Sequence, residues 1–332
     1  MSSSSDIVQP VAGPALRRRA LIAMLSVTVI WGWTFVWMKQ SGLAGDAWLR
    51  THAPQSAAGG ASPYAGLFVH VGAFMLLRFS LAAILLAMLS RRARAGLDGQ
   101  AWRGGLMLGG LLFLGFFLQM FGLASVSASV SAFLTSLYVV CTAAITAALA
   151  RRAPPPRLMA GALLATLGAA WIGGPPQIAF GAGEWLTIAS ALVFAVHIVA
   201  TDRVTKRVDP LAVTLTSFLV IAAGSLCATA VGFASRDTPQ ISDLAALFGD
   251  GEFTVPLLCS SFFATLIAIS LMNVFQRELD PVRAAIVYAI EPVFAALISI
   301  SLGMEQPNRW LFLGGGALLA GNLVAELRRA PA

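Results

Sequence analysis

The chain has 332 residues, of which 58% are hydrophobic and 11% charged, and it carries a formal charge of +7. A soluble domain averages about 25% charged residues, and a chain of this length cannot hide so much apolar surface in a core of its own. With a mean hydropathy of +0.81, lipid is the solvent that fits. The basic balance does not point to a nucleic-acid partner, because Lys and Arg fall in short clusters between apolar runs rather than on one solvated face.

Residues 1–19, with their Ser, Gly and Pro, read as a disordered cytoplasmic tail that ends in Arg17-Arg18-Arg19. The apolar run that follows is long for the core of a signal peptide and is read as a membrane anchor that stays. A crossing helix needs about 20 mainly apolar residues. That length selects windows at 20–39, 66–90, 104–123, 127–150, 158–174, 183–201, 211–234, 254–275, 282–303 and 310–327. The stops are legible: Arg91-Arg92-Ala93-Arg94, Arg151-Arg152 with Pro154-Pro155-Pro156, and Gly173-Gly174-Pro175-Pro176. Asp209-Pro210 and Asp280-Pro281 are starts. The segments at 41–65 and 235–253 read as solvated loops on the outer side, the first long and flexible.

Alternating these windows puts seventeen of the 22 Lys and Arg on one side. The positive-inside bias makes that side the cytoplasm and places both termini there. The expected location is the plasma membrane, in a bacterium the inner membrane. The expected fold is all-α and integral to the membrane, with ten crossing helices.

Cys141, Cys227 and Cys259 lie singly in apolar runs, with no disulfide or metal spacing. No Gly-rich loop ending in Lys-Ser/Thr is present, so the chain carries no ATP motor, and no cofactor or metal is called for.

Ionisable residues at membrane depth are costly and are functional candidates by default. Glu291 falls near the middle of the ninth window. Pro292 follows it, and a proline leaves the carbonyl four residues back, at Tyr288, without its helical partner. A carboxylate beside a broken helix suits a proton, a cation or a substrate amine; its structural alternative is a bond to a neighbouring helix. Arg78, in the second window, either attracts an anionic substrate or forms a buried ion pair, for instance with Glu291. Lys39, ending the first window, either faces a cavity or reaches to the interface. Trp31, Thr34 and Met38 share one helical face and line a cavity or a packing seam. Gln119, Tyr138, His197, Asn273 and Tyr288 are polar groups at membrane depth, which either join helices or meet a substrate.

The segments RLMAGALLATLG (157–168) and WLFLGGGALLAG (310–321) overlay at an offset of 153 residues. Gly161 and Gly168 then match Gly314 and Gly321, and Tyr138-Val139 matches Glu291-Pro292. The chain therefore reads as two five-helix units, 20–174 and 183–327. Five is odd, so the second unit enters from the opposite side: an inverted-topology repeat, a plan common in secondary transporters, with a site near the midplane.

WGWTFVWMKQ (31–40) and LLRFSLAAILL (76–86) resemble the first two helices of the EamA family in the drug/metabolite transporter superfamily. QMFGLASVSASVSAFLTSLYVV (119–140) resembles the end of its third helix and its fourth, the stretch 183–213 the start of its second repeat, and LDPVRAAIVYAIEPVFAALISISLGMEQP (279–307) its ninth helix and the following turn. Val139 stands where the family usually has a proline, and Arg152 where the second repeat has Glu305. The resemblance implies a secondary transporter, often an exporter, of amino acids, related metabolites or drugs. Without an ATP motif the energy comes from the solute's own gradient or from an ion; proton coupling through Glu291 is the expectation, and a homodimer is compatible with the sequence. A lipid flippase using Arg78 or Lys39, and a membrane protein that transports nothing, are the competing readings. An enzyme would want clustered polar residues at one membrane face, which the sequence lacks.

Overall fold

Apolar runs without water to bond their backbone have one local outlet, the helix. Among the described residues of the computed structural model, every regular element is helical. The structure describes residues 14–52, 63–151, 156–171, 180–234, 238–279 and 281–326. In chain order the α-helices are α1 (Pro14–His52), α2 (Pro63–Leu89), α3 (Arg91–Ala95), α4 (Gly99–Leu123), α5 (Ala128–Thr135), α6 (Tyr138–Leu149), α7 (Pro156–Trp171), α8 (Ala182–Thr205) and α9 (Pro210–Phe233). They continue with α10 (Leu244–Gly249), α11 (Gly251–Cys259), α12 (Ala268–Phe275), α13 (Pro281–Tyr288), α14 (Glu291–Ser301) and α15 (Arg309–Glu326). A π-helical stretch, Ser260–Ile267, joins α11 to α12.

Seven helical stretches are long and apolar enough to cross a membrane: Arg18–His52, Gly66–Leu89, Gly99–Leu123, Ala128–Leu149, Ala182–Thr205, Pro210–Phe233 and Gly251–Glu278. The other three predicted windows hold shorter or interrupted helices. α7 has 16 residues, the ninth window is divided between α13 and α14, and α15 has 18 residues.

Starts follow local chemistry. Asp209 accepts from the backbone N–H groups of Leu211 and Ala212 at 3.0 and 3.2 Å, ahead of Pro210 in the first turn of α9. Asp98 caps α4 in the same way through Ala101 N at 2.7 Å. Arg92 then ties α3 to the α9 cap through Asp209 at 2.6 Å.

Two expectations are corrected. The outer segment predicted as a flexible loop from residue 41 is helical through His52, and α2 begins at Pro63; residues 53–62 lie outside the described residues. Three contacts hold this extension of α1. Trp48 Nε1 donates to Asp243 O at 3.0 Å, Asp46 lies 3.3 Å from His70, and Gly45 leaves room for the His70 ring. At the other end, residues 14–19 of the predicted tail belong to α1, while 1–13 lie outside the described residues.

Helix pairs close on small residues. Gly105 and Gly109 of α4 lie against Thr216 and Ser217 of α9, and Thr216 Oγ1 donates to Ala101 O at 2.9 Å. α7 and α15 pack through the glycines of the sequence repeat. A Cβ on Gly168 would fall on Leu318 N and Gly314 O, and one on Gly321 on Ala165 N and Gly161 O. The two helices are thus antiparallel and the contact is reciprocal at an offset of 153. Gly316, on the same helix, faces open space. Gly168→Ala and Gly321→Ala are each expected to lower stability by about 1–3 kcal/mol through overpacking, read as a fall in Tm in detergent. Gly316→Ala should leave Tm unchanged or raise it, because it adds helix propensity without a clash.

Candidate functional site

Two apolar helical stretches are interrupted at positions 153 residues apart. α5 ends and α6 begins around Ser136-Leu137; α13 ends and α14 begins around Ala289-Ile290. The backbone bonding matches across them. Ser136 N bonds Ala132 O at 3.1 Å and Leu137 N bonds Leu134 O at 3.2 Å. Ala289 N bonds Ala285 O at 2.9 Å and Ile290 N bonds Val287 O at 3.5 Å. Pro292 accounts for the second break, since it cannot donate. The first break has no proline, and Val139 N donates to Ser136 O at 3.0 Å. There Asn322 of α15 holds the turn: its Nδ2 donates to Ser136 O at 3.1 Å and to Ser136 Oγ at 3.0 Å.

The residues just past the two breaks, Tyr138 and Glu291, meet. Tyr138 Oη donates to Glu291 Oε2 at 3.5 Å. Both face an internal cavity of about 60 Å³. Its walls are Trp31, Thr34 and Phe35 of α1, Leu112, Phe116 and Gln119 of α4, and Thr135 and Tyr138 at the first break. Phe194, His197 and Ile198 of α8, Met272 of α12, and Tyr288 and Glu291 at the second break complete it.

Most polar groups in these walls are matched by protein partners. Gln119 Nε2 donates to Thr135 Oγ1 at 3.2 Å, and that hydroxyl donates to Ser131 O at 2.7 Å. Thr34 Oγ1 donates to Ile30 O at 3.1 Å. Trp31 Nε1 donates at 3.3 Å to Ala264 O, within the π-helical stretch. Its ring lies 5.2 Å from that of Tyr288, whose hydroxyl reaches Gln276 Oε1 at 3.2 Å. His197 is within 3.4 Å of the Thr201 hydroxyl. Glu291 is the exception. It is 6% exposed, its hydrogen-bond partner is one tyrosine hydroxyl at 3.5 Å, and among the described residues no basic group lies within 4 Å of it.

The structure thus gathers seven of the sequence-predicted residues, Trp31, Thr34, Gln119, Tyr138, His197, Tyr288 and Glu291, around one cavity. Four others lie apart from it. Met38 and Lys39 border a second, smaller void beside Asp46 and His70. Lys39 Nζ donates to Leu123 O at 2.7 Å and Val126 O at 2.9 Å, capping the C-terminal end of α4. Asn273 bridges α12 to α9 through Thr214 Oγ1 at 2.7 Å. Arg78 is fully buried and does not pair with Glu291. Its Nε donates to Thr265 Oγ1 at 2.6 Å. Its guanidinium carbon lies 5.3 Å from the Phe79 ring centroid and 4.9 Å from that of Phe116, itself a cavity wall.

Sequence reasoning missed Thr135, Gln276 and Glu305. Thr135 is itself a wall beside the first break, and Gln276 accepts from the hydroxyl of the wall residue Tyr288; for Thr135 a polar residue beside a helix break was the available signal. Glu305 accepts from Ser129 N at 3.0 Å, from Ser299 Oγ at 2.7 Å and from the hydroxyls of Ser127 and Ser129, at the start of α5. A carboxylate at a helix N-terminus meets free N–H groups and the positive end of the helix dipole.

The EamA-like transporter family model matches residues 57–174 and again 181–326. An uncharacterized transporter of Archaeoglobus fulgidus is 26% identical over 232 residues, which are 70% of this chain and 71% of that one. A protein of known crystal structure, 19% identical, overlays 93% of this chain and 96% of its own with a TM-score of 0.59, a likeness of fold. The family match runs through both helix breaks and all the cavity walls beyond α1: this multi-pass membrane protein belongs to the EamA-like transporter family.

Proposed function

We propose that the protein is a secondary transporter that exports small organic metabolites, such as amino acids or drugs, across the plasma membrane by alternating access, with proton coupling through Glu291. One observation carries this reading: a buried carboxyl with no basic partner among the described residues, on a small cavity where two helix breaks meet. Removing a carboxylate from water costs several kcal/mol unless a proton or a partner compensates, so this group is suited to take up a proton or a cationic part of a substrate.

The same reading takes the chain as ten crossing helices in two inverted five-helix units, with both termini in the cytoplasm. The reciprocal contact of α7 and α15, the matched breaks and the two consecutive family matches support it. A cavity of about 60 Å³ is small beside the roughly 300–1,000 Å³ of ordinary ligand pockets. We read this as an occluded conformation, which the substrate enters only after one side opens. The competing flippase reading relied on Arg78 or Lys39 as a headgroup site; neither lines the cavity.

The test is transport in proteoliposomes across a panel of amino acids and other metabolites, with an imposed pH gradient. Glu291→Gln keeps the size of the side chain and removes the titrating group. It is expected to abolish gradient-driven accumulation of the solute that the wild type moves, and to flatten the pH dependence of any residual flux. Wild-type rates with the pH dependence intact would sink the coupling role.

A further inference from the structure

On the face of α8 turned away from the cavity lies an open groove of about 780 Å³. Phe194, His197 and Ile198 face the cavity; Val196, Val199, Ala200 and Val204 form the floor of the groove. Met107 of α4 and Ile145 and Leu149 of α6 are its sides. Gly104 sets the close approach of α4 to α8, because a Cβ there would press on Val204. The groove is therefore a slot between crossing helices, apolar along its length.

One end of the slot is cationic. Arg103 of α4, Arg203 of α8 and Arg207, four residues further on, all line it, with Gln100 beside them. No acidic residue lines the groove. Neighbouring cations have carboxylates: Arg92 pairs with Asp209, Lys206 with Asp202 at 2.7 Å, and Arg277 with Glu278. Among the described residues, Arg103, Arg203 and Arg207 pair with none. Three exposed arginines thus line one apolar slot, and the guanidinium fork is the side-chain group whose geometry matches phosphate oxygens.

From this charge and shape complementarity we infer that the groove between α4, α6 and α8 is a binding site for an anionic phospholipid. The phosphate engages Arg103, Arg203 and Arg207, and an acyl chain lies along Val204, Ala200 and Val196. Basic pockets between crossing helices hold anionic headgroups in this way. The lipid comes from the leaflet at which α4 begins and α8 ends. It braces the outer face of the helix that carries His197, and the inference holds whatever solute the cavity takes.

The experiment uses the full-length protein, purified and delipidated in a neutral detergent. Dioleoyl phosphatidylglycerol is expected to raise Tm and to be retained in native mass spectrometry; dioleoyl phosphatidylcholine and inorganic phosphate should do neither. The triple variant Arg103→Gln/Arg203→Gln/Arg207→Gln should keep the lipid-free Tm, since these side chains are exposed, and lose both responses. A control that removes the same charge away from the groove, Arg18→Gln/Arg19→Gln/Arg50→Gln, should keep them. Equal losses in the two variants, or an equal response to phosphatidylcholine, would overturn the site. A full response to inorganic phosphate alone would replace the lipid with a soluble anion and overturn it as well.

Discussion

A helix that breaks inside the hydrocarbon leaves N–H and C=O groups that water cannot reach, and each costs several kcal/mol unless the protein supplies a partner. The breaks at Ser136-Leu137 and Ala289-Ile290 impose that demand twice, and much of the surrounding structure answers it. Asn322 crosses from α15 to serve Ser136. Thr28 of α1 brings its hydroxyl within 3.4 Å of Val287 O. The close contact of α7 with α15 at Gly168 and Gly321 positions the helix that carries Asn322. The breaks also turn Tyr138 and Glu291 toward each other, so the same backbone constraint that organises the packing builds the polar centre of the cavity.

The ends of the breaking helices are held as firmly as their middles. Lys39 caps the last carbonyls of α4, and Glu305 accepts from the Ser129 amide and the Ser127 and Ser129 hydroxyls at the start of α5. These opposite charges thus grip the two sides of the turn at Ala124–Ser127 from α1 and from the segment after α14. Such contacts belong to one conformation, because sliding α1 or α14 past that turn would break several charge-assisted bonds together. Packed interfaces of this sort switch between discrete arrangements rather than deforming smoothly. That behaviour suits a cavity too small, as it stands, for an organic solute.

What could be read from the sequence had a local chemical cause. Asp209-Pro210 begins a helix because an Asx cap and a proline both favour a start. Glu291-Pro292 marks a break because proline cannot donate, and the glycines at 168 and 321 mark a close helix contact because a Cβ there would fall on the facing backbone. What could not be read depended on distant partners. The break before Tyr138 has no proline; it depends on Asn322, 186 residues away. The helical extension of α1 to His52 depends on Trp48 reaching Asp243 and on Asp46 reaching His70. Arg78 read as the partner of an anionic substrate or of a buried carboxylate, yet its contacts are Thr265 and two phenyl rings, a combination that only packing reveals. Met38 shares a helical face with Trp31 and Thr34 but sits one turn further, at a separate void.

The central claim is that the cavity between the two breaks opens to each side of the membrane in turn. Thr34, 4% exposed and on the cavity wall, reports on it directly. With Cys141, Cys227 and Cys259 replaced by alanine, Thr34→Cys is exposed to a membrane-impermeant maleimide in right-side-out and in inside-out vesicles, under pH gradients of either sign. The account predicts labelling from both faces, each under the opposite gradient and never together. Labelling from one face under every condition, or from neither, would contradict it.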